Sequence, residues 1–225
     1  MGQIADGRIP CHHADMTSTP SDPPPSPEAP DPPLGRRARK ALAVRERLFA
    51  AGLAAFGRQP IGLVSILDIT EAADVAKGVF YLHFKGKDDY LLTLWEWIHR
   101  TLLDEIRVAT MEARGRAARI DIAARLLLDL PTRRPDATRF HMRMGGFVGD
   151  DIGEPGRFLM LQRQATTELA ALIEATSADA VSDEMISATA RLEGVCWGLV
   201  TMAVNQGVDV DTDQGIRLAK AAIRS

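Results

Sequence analysis

The chain has 225 residues, 46 % of them apolar, and a formal net charge of −3, which suits one large or two small domains around real hydrophobic cores. No apolar run approaches the roughly 18–20 residues of a membrane span, and Cys11 and Cys196 stand far apart, which argues against a disulfide framework and for a reducing cytoplasm. Charge is unevenly shared: residues 1–35 sum to −4, residues 36–90 to +4 and residues 91–225 to −3, so the middle block alone has the sign that attracts a polyanion.

Residues 1–35 hold nine of the thirteen prolines and almost nothing to bury, so a disordered, partly polyproline-like tail is expected there. Cys11-His12-His13 fits no closed tetrahedral metal site, and no metal or cofactor is expected. From Arg36 the composition changes. Arg36, Arg37, Arg39, Lys40, Arg45 and Arg47 accumulate in a first helix over about 37–57, with Leu42, Leu48, Phe49, Gly52 and Phe56 on its inner side. A basic run is often only a solvated helix face. Directly before the next segment, Arg37 and Lys40 are expected to meet phosphates, contacts that position a protein without reading sequence. Gly57 is expected to cap this helix, and Pro60 to hold a loop open.

Ser65 is an N-cap candidate with Asp68 three residues on. Ile66, Ile69, Ala72 and Ala73 then repeat at helical spacing. Asp74 tolerates a chain reversal, and a short second helix restarts at Ala76–Lys77. In it Lys77, Tyr81 and His83 carry polar tips, while Val79, Phe80 and Phe84 divide between core and groove. The pattern is a helix-turn-helix whose second helix fits a DNA major groove.

At these residues the sequence resembles the TetR family of one-component bacterial transcription regulators: Ile69, Ala73, Val75, Lys77, Gly78, Tyr81, His83, Phe84 and Lys87 stand at the family's spacing. Three features depart from it. Asp74 replaces the usual turn glycine, Ala76 replaces a Ser or Thr, and about three extra residues separate Gly57 from the second helix. Asp74 is expected to cap the reading helix in place of the missing hydroxyl. The DNA contacts implied are Arg37, Lys40, Ser65, Ala76, Lys77, Val79, Tyr81, His83 and Lys87.

Leu91, Leu94, Ile98, Leu102 and Ile106 keep helical spacing over about five turns and define a long joining helix. Further helices are expected over about 117–130 (ended by Pro131), 136–146, 155–177, 182–206 and 212–224. The fold class is thus all-α: a three-helix DNA-binding domain (36–90) and a C-terminal antiparallel helical bundle (91–225). In the family such a bundle binds a small molecule and forms the dimer. Trp95, His99, Phe140, Met144, Phe147, Gln164 and Trp197 are candidate cavity residues, though each has an ordinary core reading too. Ala190, Gly194 and Gly198 fall four apart as a small-residue stripe; with Trp197 and with Ile216, Ala219 and Ile223 they are expected to form a homodimer interface. No nucleophile–base arrangement or phosphate loop is present, so no enzyme is expected. The resemblance implies a dimeric repressor on a palindromic double-stranded operator, released by a small-molecule effector. A ligand-independent DNA-binding protein, or a helical carrier with a degenerate helix-turn-helix, stays open.

Overall fold

The computed structural model describes residues 35–147 and 155–224. The proline-rich segment with Cys11-His12-His13 lies outside the described residues. Within them the chain forms ten α-helices and no strand: α1 (Arg36–Arg58), α2 (Ile66–Ala72), α3 (Lys77–His83), α4 (Lys87–Thr110), α5 (Arg116–Leu128), α6 (Leu130–Arg133), α7 (Pro135–Phe147), α8 (Pro155–Glu174), α9 (Asp183–Gln206) and α10 (Thr212–Arg224).

Helix α1 buries Leu48, Phe49, Gly52 and Phe56 as its periodicity requires. Leu42, expected on the inner face, is 45 % exposed, because the first residue of α1 packed against the core is Val44. Gly57 does not end the helix, which continues through Arg58. It makes room for α7, since a Cβ there would lie 2.8 Å from Asp136 Cγ. The extra residues before α2 form a 3₁₀ turn, Ile61–Leu63.

Ser65 caps α2 in a complete capping box: Asp68 N–H donates to Ser65 Oγ at 3.1 Å, and Ser65 N–H donates to the Asp68 carboxylate at 2.7 Å. Those bonds, backbone first, hold the Asp68 carboxyl below its ordinary range. An acid with a depressed folded pKa contributes stability above its ordinary pKa and loses it as pH falls through the folded value. Ser65→Ala removes the cap bond to the Asp68 N–H and should lower stability by about 1 kcal/mol, read as a thermal-melt decrease of roughly 2–4 °C. An unchanged melt would show that α2 needs no cap.

Asp74 takes the reversal with a left-handed φ of 52°, a conformation Asp tolerates better than most residues. It does not cap α3. The N-cap position belongs to Ala76, which has no side-chain cap bond; Asp74 stands two residues earlier, within the turn.

Two apolar clusters organise the rest. The first joins α1, α2, α3, the start of α4, α7 and Phe158 of α8. The second joins the later part of α4 with α5, α8, α9 and α10. Helix α4, about 36 Å long by helical rise, runs through both. Its Leu91, Leu94, Ile98, Leu102 and Ile106 are all buried, as their spacing predicts. Pro131 lies in the first turn of α6, not at the end of α5, which stops at Leu128. Helix α8 stops at Glu174, just before Ala175 turns to a left-handed φ of 53°.

Helices α9 and α10 form an antiparallel pair over α5. Ile216, Ala219 and Ile223 of α10, expected at a dimer interface, are buried in this chain's own second core. Their shared face points into their own bundle because Leu128, Leu192, Cys196 and Val200 fill the same cluster. Ala190, Gly194 and Gly198 are exposed on α9, and Met202 continues their four-residue step, 51 % exposed.

Candidate nucleic-acid interface and ligand cavity

Helix α3 is held from below by an aromatic cluster. Phe80 and Phe84 are buried, with ring centroids 5.3 Å and 4.9 Å from Tyr90, and Phe49 lies 5.8 Å from Phe84. The Arg45 guanidinium sits over Phe49 at 5.2 Å and Phe84 at 5.9 Å, a cation–π contact that commits this member of the basic run to structure.

The opposite face of α3 is open. Lys77, Gly78, Tyr81 and Leu82 are exposed, Tyr81 at 51 % and Leu82 at 82 %. These four fall at steps of one, three and one, a single helical face. Tyr81 is steadied by an edge contact with Phe80, centroids 5.5 Å apart. Val79 and His83 are half-buried at the margins, and Ala76 is exposed at the helix start. Leu82 was not among the expected contacts. Its signal was present, four residues after Gly78 and five after Lys77, but a leucine reads by default as core. Nothing lies within 4 Å of a Cβ built on Gly78, so this glycine serves an open face and not packing against α1.

Arg37, Lys40 and Ser65 are exposed. Lys87, expected on the phosphate backbone, has a structural partner: its Nζ donates to Ile61 O at 2.6 Å, tying the start of α4 to the 3₁₀ turn. Burial lowers its pKa, against the pull of Asp88 and Asp68. Beside it, burial would raise the Asp89 pKa, but Arg157 and the Lys85 N–H outweigh burial and hold it low.

The second site is a cavity of about 460 Å³ between α4, α7, α8 and α9, lined by Trp95, His99, His141, Thr166, Glu193 and Trp197 among others. Trp95 stacks on His99 at 3.5 Å and Trp197 on His141 at 3.6 Å, and the two imidazoles are 5.1 Å apart. His99 Nδ1 lies 2.8 Å from the Trp95 carbonyl, which only accepts, so Nδ1 carries the proton. Burial lowers the His99 pKa to about 4 and, with the charge of His99, takes His141 well below its ordinary value. Trp95 Nε1 and His141 Nδ1 are buried with no hydrogen-bond partner among the described residues. Glu193 keeps some accessible surface, but its helical surroundings dehydrate the carboxyl. That burial pushes its pKa up to about 7, against a 2.7 Å hydrogen bond donated by Thr166 Oγ1.

Of the expected cavity residues, Trp95, His99 and Trp197 line this cavity. Phe140 and Met144 do not. They are fully buried in the first core, where Phe140 meets Phe56 at 5.4 Å. Gln164 faces a smaller neighbouring cleft and donates to Glu168 at 3.0 Å. The side chain of Phe147 lies outside the described residues. His141, Thr166 and Glu193 were missed as cavity residues. Glu193 carried a signal: it is the single charged residue between Leu192 and Val204.

Helix α7 spans both sites. Its His141 lines the cavity, while Arg143 donates to the carbonyls of Phe56 and, at 2.7 Å, Gln59. One guanidinium thereby satisfies carbonyls left open at the end of α1.

The family model for bacterial regulatory proteins, tetR family, matches residues 48–93. The HTH-type transcriptional regulator AcrR of Shigella flexneri is 33 % identical over 58 residues, 26 % of this chain and 27 % of that protein. The match spans about a quarter of that relative's length. Among solved structures, the fatty acid degradation regulator FadR of Bacillus halodurans superposes with a TM-score of 0.65 at 16 % identity, covering 80 % of this chain and 94 % of that one. A TetR family transcription regulator from Marinobacter aquaeolei VT8 gives 0.62 at 16 % identity, covering 82 % and 97 %. A third, from Haloarcula marismortui, gives 0.62 at 18 % identity, covering 80 % and 96 %. At these identities the superpositions speak for the fold.

Proposed function

We propose that this chain, whose residues 48–93 match the family model for bacterial regulatory proteins of the tetR family, is a member of that family and acts as a dimeric, sequence-specific repressor released from a palindromic operator by a small molecule. One observation carries the reading: the helix-turn-helix lies inside the family-matched residues, and its second helix leaves Lys77, Gly78, Tyr81 and Leu82 uncovered. Among the described residues no packing contact covers that face. Major-groove readout uses it, with Lys77 and Tyr81 offering polar tips and Leu82 or Val79 an apolar surface for a thymine methyl. Residues 36–90 act as the reading head, and 91–225 as the effector and dimer region. Arg37, Lys40 and Ser65 bind phosphates; Ala76 lets the helix start approach the backbone, and His83 contacts the groove margin. Lys87 orients α4 through Ile61.

Dimerisation uses the exposed stripe Ala190, Gly194, Gly198 and Met202 of α9, with Leu218 of α10, 44 % exposed, as a further apolar contact. Small residues let a partner helix approach closely, and a two-fold pairing repeats the same patch on both copies. Two reading heads then meet half-sites about one helical turn, some 34–36 Å, apart. Release follows from the continuity of α4 and α7: ligand contact at His99 and His141 moves the helices that carry Lys87 and Arg143 into the head. Linkage requires operator DNA to weaken effector binding by the same factor.

Selection of bound duplexes from a random library, followed by salt titration of the best one, tests the reading. The expected winner is palindromic and binds at least about a thousandfold more tightly than a scrambled duplex. Equal binding of all duplexes would reduce the head to a phosphate contact and overturn it.

A further inference from the structure

The 460 Å³ cavity is of a size for a small ligand, and its chemistry is specific enough to name a class. Four aromatic rings, Trp95, His99, His141 and Trp197, form one wall. A carboxyl in dehydrated surroundings, Glu193, stands in the same lining, held by the Thr166 hydroxyl at 2.7 Å. We propose that this cavity takes a planar aromatic monocation, with its ring against the Trp–His wall and its charge against the Glu193 carboxylate. The proposal rests on the effector reading above and specifies the effector's chemistry.

The charges around Glu193 favour that occupant. On α8, Arg163 is the cation in the lining, and it turns to Asp183 at 2.8 Å with 65 % of its side chain in solvent. On α4 and α7, His99 and His141 are kept neutral near pH 7 by burial. On α9 itself, burial and the Glu193 charge push the Cys196 thiol up to about 12. No cavity neighbour among the described residues therefore neutralises an ionised Glu193, and a dehydrated carboxylate without a counter-charge is costly. A ligand cation supplies the partner, and the indole faces add cation–π attraction. An anionic ligand meets the opposite sign, and a neutral ring gains only the wall.

Binding is then an exchange: the Glu193 proton leaves to solvent as the cation enters. Glu193, its pKa raised to about 7 by burial, titrates in the neutral range, whereas burial moves His99 and His141 in the opposite direction. Cation affinity rises with pH, approaching about tenfold per unit below that value, and levels off above it. In the free protein the same sign makes Glu193 a destabilising group once ionised, so a cation also restores stability by mass action.

Three bicyclic probes, the first two isosteric, decide the matter on the full-length protein, by indole fluorescence quenching and calorimetry: 1-methylquinolinium, 1-methylnaphthalene and 1-naphthoate. At pH 8 the quinolinium should bind about tenfold or more tightly than methylnaphthalene, with naphthoate weakest; at pH 6, where Glu193 starts protonated, the heat of quinolinium binding should vary with buffer ionisation as a proton is released. Glu193→Gln should remove both the cation preference and the pH slope while methylnaphthalene still binds. Thr166→Val, which removes a bond to the carboxylate, should move the midpoint to higher pH. Equal affinity for cation and neutral probe at pH 8, preference for naphthoate, or a preference that survives Glu193→Gln overturns the proposal. Operator release is measured separately. Cation binding with the Glu193 signature but no change in operator affinity would leave the cavity chemistry standing and remove its role in release, whereas operator binding with no cation preference would do the reverse.

Discussion

Lys77→Ala combined with Tyr81→Ala is expected to lower affinity for the selected operator by about a thousandfold, to the level of a scrambled duplex. The magnitude follows from two base or groove contacts at roughly 1–3 kcal/mol each. Residual binding is expected from Arg37 and Lys40, exposed at the start of α1 and proposed to meet phosphates, so the mutant should keep most of its salt dependence. Stability should change by no more than about 1 kcal/mol: Lys77 is exposed, and Tyr81, 51 % exposed, loses only its edge contact with Phe80. Paired gel-shift and thermal-melt measurements separate lost reading from lost folding. Unchanged operator affinity would mean that another helix reads the DNA. Leu82→Ala adds resolution: loss confined to operators with a thymine at one half-site position would identify the apolar contact.

Gly52→Ala should destabilise the head by about 3 kcal/mol. A Cβ on Gly52 would stand inside van der Waals contact of Tyr90 Oη and 2.8 Å from its Cζ. The ring has nowhere to retreat: Phe49, Phe56, Phe80 and Phe84 surround it with centroids between 4.9 and 6.3 Å. Overpacking a filled core typically costs about 1–3 kcal/mol. A displaced phenol also loses its 2.7 Å hydrogen bond to the Leu48 carbonyl, and an unsatisfied buried hydroxyl adds about 1–3 kcal/mol. The melt should fall by roughly 6–12 °C. Tyr90→Phe alone, which deletes the hydroxyl without moving the ring, should cost about 1 kcal/mol. The double variant should be less damaged than the sum of the two, because removing the hydroxyl removes part of the clash. Strict additivity would show that Gly52 and Tyr90 do not share the space described here.

The same pair shows what patterning can reach. Residue periodicity placed Leu48, Phe49, Gly52 and Phe56 on one face of α1, and Leu91, Leu94, Ile98, Leu102 and Ile106 on one face of α4, because a helix brings positions three and four apart onto one side whatever lies opposite. It did not reveal that Tyr90 fills the notch at Gly52. That contact joins residues 38 apart in sequence, and the partner of a glycine is a property of the neighbouring helix.

By itself the sequence determined the all-helical class, the capping box at Ser65, the reversal at Asp74 and the frame of the reading helix, since each depends on interactions within a few residues. Tertiary structure decided which face of each element meets which neighbour. Ile216, Ala219 and Ile223 share a face in either reading, yet that face belongs to this chain's own core, and spacing alone has no means of telling a partner copy from the next helix. Leu82 reads as core until the aromatic cluster beneath Phe80 and Phe84 leaves it no place there. Lys87 is drawn to the Ile61 carbonyl by a 3₁₀ turn 26 residues earlier. The cavity depends most on assembly: His99, His141, Thr166 and Glu193 come from four different helices, and the altered protonation of the two imidazoles and the carboxyl arises only when packing excludes the water that each would keep in an isolated helix.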